Sequence, residues 1–157
     1  MRPFTRFVPL ALLLLAGCAG PLPQPDPKMA WVELRSAPAN TLLAERLDGE
    51  RLSDGRYFQV TPGRHVLEVR FQYELYGGSG GGGGGFGEPV QINCYQQVIY
   101  DGFEAGRRYR LEVRPQLRRA LALLSDERGE VVARSNFQTS RCPRTETQRL
   151  SRRSSGR

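Results

Sequence analysis

The sequence predicts an all-β protein, a small antiparallel β-sandwich of about seven to eight strands. Three observations carry this expectation. Apolar and polar residues alternate with period two over long stretches, most clearly from His65 to Leu75. Gly-bearing turn signals punctuate the apolar runs, as at Asp48-Gly49, Pro62-Gly63 and Asp126 to Gly129. No segment after the first 28 residues carries a convincing helical period. One amphipathic sheet cannot bury a face alone, whereas two sheets packed about 10 Å apart can.

The chain opens with Arg2 and Arg6, followed by an apolar run from Phe7 to Ala16. A charged start and a short apolar stretch have the build of a secretory signal. The run is too short to cross a bilayer core of roughly 30 Å, which takes about 20 residues. It closes on Leu15-Ala16-Gly17-Cys18. This motif resembles the lipobox of bacterial lipoproteins, in which the cysteine thiol is acylated and the peptide bond before it is cut. The resemblance implies that residues 1–17 are a signal peptide, that Cys18 carries the lipid (palmitate among its acyl chains), and that the protein sits in the cell envelope facing the periplasm. Ala19 rather than Asp follows the cysteine, which by the same resemblance implies the outer membrane.

Composition fits a soluble domain on a tether: 39% hydrophobic, 25% charged, with a formal charge of +7. Residues 18–28 contain four prolines and read as an extended, Pro-rich tether. A single domain is expected over 29–142.

Within it, Ala30 to Leu34 begins the fold, and Leu42 to Leu47 is apolar but not cleanly periodic. Asp48-Gly49 then signals a two-residue hairpin, because such turns need positive φ at both central residues. Ser53-Asp54-Gly55 turns again into the strand Arg56 to Val60. His65, Leu67, Val69, Phe71, Tyr73 and Leu75 line one face of the longest strand. Residues 77–87 follow, nine of eleven being glycine, and read as a flexible loop between two long strands. In the next strand Val90, Ile92, Cys94, Val98 and Tyr100 share a parity broken by Gln96. Asp101-Gly102 and Ala105-Gly106 are expected turns. Tyr109, Leu111 and Val113 alternate with charge up to Pro115, which is expected to end the strand. Arg119 to Ser125 and Glu130 to Arg134 form a last hairpin.

Three groups of residues complete the domain reading. Leu47-Asp48-Gly49, Pro62-Gly63-Arg64-His65 and Ala105-Gly106-Arg107-Arg108-Tyr109 resemble the PEGA-like, transthyretin-like modules of bacterial envelope lipoproteins. The resemblance spans roughly 30–135. It implies a small β-sandwich and carries no catalytic residue over.

Cysteine parity points to a disulfide. With Cys18 lipidated, Cys94 and Cys142 remain in an oxidising compartment, and pairing them is the simplest accounting. Residues 143–157 are polar, charged and aperiodic, and are expected to be a disordered, arginine-rich tail. From Arg141 onward, Arg141, Arg144, Arg149, Arg152, Arg153 and Arg157 face a single acid, Glu146. Arginine pairs with phosphate and carboxylate, so the tail is a candidate contact for anionic lipid or a cell-wall polymer. Nucleic acid is not an expected partner for an exported protein; an envelope protein is.

Catalytic chemistry finds little to work with. His65 is the only histidine, and a hydrolase would have to converge Ser53, Asp54 or another acid on it. One histidine and two distant cysteines do not make a zinc set. The glycine run lacks the Lys and Ser or Thr of a phosphate loop. No cofactor or metal is expected. The sequence therefore favours a non-enzymatic, lipid-anchored envelope protein that binds or scaffolds another component, with a small hydrolase using His65 as the alternative.

Overall fold

The computed structural model describes residues 20–75, 89–136, 138 and 140–142. The expectations for Cys18, the signal, the glycine loop and the tail beyond Cys142 (Arg144, Arg149, Arg152, Arg153 and Arg157 included) lie outside these residues.

Among the described residues nine strands form two packed sheets: β1 (Ala30–Ser36), β2 (Thr41–Leu47), β3 (Glu50–Arg51), β4 (Tyr57–Val60), β5 (Gly63–Leu75), β6 (Val90–Phe103), β7 (Arg108–Gln116), β8 (Arg119–Ser125) and β9 (Val131–Arg134). The first sheet has the order β4-β1-β7-β8-β9 and the second β3-β2-β5-β6. The all-β sandwich is as the sequence predicts. One pairing departs from it: β1 runs parallel to β7, in register from Trp31 with Arg108 to Ser36 with Val113. A parallel neighbour needs a long crossover, here the whole second sheet, and no local sequence pattern announces it.

The period-two faces meet in one core. Val32, Phe58, Val60, Leu111, Val113, Ala122 and Leu124 come from the first sheet, and Leu67, Val69, Phe71, Cys94 and Val98 from the second. Gln96 shares that inward parity and is completely buried.

Two turn signals act differently from their sequence reading. Asp101-Gly102 is a bulge inside β6 rather than a turn: the register jumps from His65 with Tyr100 to Gly63 with Phe103. The extra residue re-aims the strand, so Tyr100 and Phe103 both point inward. There they pack edge-on with Tyr109, at ring distances of 4.9 to 5.8 Å. Pro115 does not end β7; it pairs with Ala120 inside the strand. The β1 pairing has already stopped at Val113, so the missing N–H of the proline falls where no ladder needs it. The strand turns instead at Leu117-Arg118, with Leu117 at φ 52°.

Asp48-Gly49 is the expected hairpin turn, with φ of 52° and 89° between the paired Leu47 and Glu50. The described part of the proline-rich stretch, read from sequence as an extended tether, is laid along β4. Arg56 donates to the Gly20 carbonyl at 2.7 Å, the Asp26 N–H to Gln59 Oε1 at 3.4 Å, and Gln59 Nε2 to Met29 Sδ at 3.3 Å. It covers an edge strand with a segment that has few donors of its own. Among the described residues no helix is long and apolar enough to cross a membrane.

Candidate functional site: an arginine-lined groove

The outer face of the second sheet carries a groove of about 700 Å³. It exists because β2 bulges between Ala44 and Arg46. Adjacent strand residues normally point to opposite faces; the bulge lets Glu45 and Arg46 line the same one. Glu68 and Arg70 join them from β5, Tyr95 and Gln97 from β6, and Arg51 from β3.

The last wall is Arg141, brought there by a clamp. The sulfurs of Cys94 and Cys142 are bonded at 1.96 Å, which is the expected pairing. Next to it Tyr95 and Arg141 exchange two backbone hydrogen bonds, of 2.7 and 3.0 Å. The buried Gln96 side chain donates to the Ser140 hydroxyl. Upstream, Ser135 accepts from the Ala122 N–H at 3.0 Å and donates its own N–H back to Ala122 at 2.9 Å. Sequence parity marked Gln96 only as an exception to an apolar pattern. Its role as a holder of residue 140 needed the second strand to be visible.

The groove has more donors than acceptors. Glu45 is shared by Arg51 at 3.3 Å and Arg70 at 3.6 Å. Glu68 is shared by Arg46 at 3.4 Å and Gln97 at 2.9 Å. Four guanidiniums, each with five N–H donors, thus face two carboxylates. The buried Arg70 Nε reaches Glu45 only at 3.6 Å, beyond hydrogen-bond distance, and Arg141 has no ion pair among the described residues. Such a surface is set up to take a carboxylate or phosphate bidentately.

His65 stands near the start of β5, against the Asp48-Gly49 turn whose Gly49 also lines the groove. Its Nδ1 is 2.6 Å from Asp48 Oδ2, and its Nε2 is 3.0 Å from the Thr61 hydroxyl. The other Asp48 oxygen accepts the Val66 N–H at 2.8 Å. Burial would raise the Asp48 pKa, but the hydrogen bonds from Val66 and His65 and the attraction of His65 outweigh it and hold the carboxyl below its usual value. The residues that converge on His65 are therefore Asp48 and Thr61, in place of Ser53 and Asp54. Asp54 instead grips its neighbour Arg56 with contacts of 2.7 to 3.1 Å. Chain proximity suggested the wrong acid because the hairpin folds Asp48 back onto β5, 17 residues away.

Comparison with known proteins finds no family model, no curated protein and no solved structure that matches this chain.

Proposed function

We propose that the chain is a lipid-anchored, non-enzymatic protein of the bacterial envelope whose sandwich binds an anionic envelope component in the arginine-lined groove. Anchoring rests on the lipobox-like Leu15-Ala16-Gly17-Cys18, and the PEGA-like pattern is consistent with an envelope module. The binding role rests on one observation: Arg46, Arg51, Arg70 and Arg141 surround a groove whose acids are Glu45 and Glu68 alone. The arginines that follow Arg141 in sequence would extend the same charge. A cell-wall polymer bearing carboxylates or phosphates fits this chemistry.

Binding of the full chain to purified cell-wall sacculi tests the reading. The pair Arg46→Ala with Arg141→Ala is expected to weaken binding about tenfold or more, since charge-assisted contacts contribute roughly 1.5–3 kcal/mol each. Binding by both forms should fall as salt rises. Unchanged binding by the double variant ends the groove reading. Cys18→Ala should separately release the protein from membranes; a wild type that is freely soluble ends the anchoring reading.

The linked Asp48, His65 and Thr61 give the hydrolase alternative its one supporting observation, since acid, imidazole and hydroxyl stand in the order a nucleophilic device uses. Turnover of an activated ester that disappears in His65→Gln, with melting unchanged, would support it. No turnover by the wild type would remove it.

A further inference from the structure

We propose that the end of the sandwich carrying the Leu117-Arg118 turn lies against an anionic phospholipid surface. The proposal rests on the anchoring reading only for the place of Cys18; the turn itself stands on separate observations.

Strand directions fix which residues share this end. The parallel strands β1 and β7 finish at Ser36 and Gln116, and β8 begins at Arg119. The Tyr73 hydroxyl lies 2.6 Å from the Leu117 carbonyl and 3.0 Å from that of Arg119, which ties the finish of β5 to the same end. Tyr100, Phe103, Tyr109, His65 and Val131 are at the opposite end.

Three features converge on the Leu117 end. Leu117 is 83% exposed, more than any other large apolar side chain among the described residues. It also stands at φ 52°, where a hairpin turn favours Gly, Asn or Asp. A leucine there is unfavourable for both solvation and backbone, and such outliers point to a use. A single exposed leucine would mean little by itself; here it is followed directly by Arg118 and Arg119. Second, Arg56 holds the Gly20 carbonyl beside the start of β4, where Tyr57 pairs with Glu33 midway along β1, while Asp26 lies beside Gln59 nearer the opposite end, so the segment approaches the Leu117 end as it runs from Asp26 back to Gly20. Cys18 is two residues earlier, within about 7 Å of chain. Third, residues 140–142 run antiparallel to β6, so the chain heads from Arg141 to Cys142 toward this end, and five further arginines follow in sequence. Against this positive charge the end presents the exposed Glu74 of β5. An apolar tip flanked by arginines, on the end toward which Gly20 and Cys142 both lead, matches an anionic headgroup layer over acyl chains. The groove then opens sideways, away from the bilayer.

Single-indole variants of the full chain test this on vesicles of phosphatidylglycerol and phosphatidylethanolamine. In a Trp31→Phe background, Leu117→Trp places the probe at the turn and Val131→Trp places it at the opposite end. Lipids brominated on their acyl chains should quench the indole at position 117 at least twofold more than the one at 131, and aqueous acrylamide should do the reverse. Replacing phosphatidylglycerol by phosphatidylcholine should reduce the difference. Sedimentation of the same samples reports anchoring independently. Protein that sediments with equal quenching at both positions overturns the orientation and leaves anchoring intact. Protein that a high-salt wash strips from the sedimented vesicles overturns anchoring, and selective quenching at 117 before the wash would still uphold the turn. Failure of both measurements removes both.

Discussion

Asp48 shows how much one side chain can fix. It takes the left-handed conformation the turn requires, accepts the Val66 N–H and holds His65, all with one carboxylate. The Asp-Gly pair made the turn legible from sequence, because positive φ is a local demand. The long-range partners were not legible, since nothing local says where β5 will lie. The lowered pKa has a testable sign. A carboxyl whose folded pKa lies below its unfolded value stabilises the fold fully above the ordinary value of 3.8, and that contribution fades as pH falls through the folded value. Asp48→Asn keeps the turn conformation and removes the charge. Its stability deficit in urea unfolding should be widest well above the ordinary value of 3.8 and should close as the pH falls through the lower folded value. A deficit that does not vary with pH would show that the charge contributes nothing. Leu117 gives the opposite case. Leu117→Gly should raise stability by about 0.5–1 kcal/mol by relieving the left-handed backbone. A loss of stability would mean that the exposed leucine supports the fold.

At the scale of the strand, alternation was the readable signal and its interruptions were not. Residues 65–75 and 90–100 were assigned to the correct faces because period two is a property of the strand alone. Asp101-Gly102 has the same composition as a turn, yet it makes a bulge. Both need a residue that tolerates a local kink, so composition cannot separate them. Pairing with β5 decides, through the one-residue jump between Gly63 and His65. The same limit hid the groove, whose acid and base are brought to one face by the β2 bulge. Gly102 has a packing reason as well: a Cβ there would sit 2.8 Å from the Tyr100 hydroxyl. Gly102→Ala should therefore cost about 1–3 kcal/mol by displacing Tyr100 from the Phe103 and Tyr109 rings. Thermal melting checks this, and an unchanged midpoint would mean that the ring cluster adapts freely.

For the whole molecule, the disulfide joins stability to the site. Cys94 is buried on the core face of β6, and Cys142 follows directly on the residue that completes the groove. Parity of cysteines was enough to predict the pair, whereas the groove it completes depends on two sheets and a terminal segment meeting. The bond closes a sequence separation of 48 residues. For a loop of that order the chain-entropy account gives about 4 kcal/mol, against a range of roughly 0–5. In a domain of about 5–15 kcal/mol total stability this is a large share. Without the bond, Arg141 is held by two backbone hydrogen bonds to Tyr95 and by the Gln96 contact to its neighbour Ser140. Backbone bonds of that kind contribute about 0.5–1.5 kcal/mol each, which the entropy of ordering a terminal segment can offset. Replacing both cysteines by alanine should thus do two things together. Urea unfolding should show a loss of about 4 kcal/mol, and sacculus binding should weaken by as much as it does in Arg141→Ala. The remaining eight core strands of the two sheets other than β3 keep their pairing, so far-ultraviolet circular dichroism should stay that of the wild type below the new transition. If stability falls while binding is unchanged, the segment reaches the groove without its clamp, and Arg141 is positioned by the strand bridge alone.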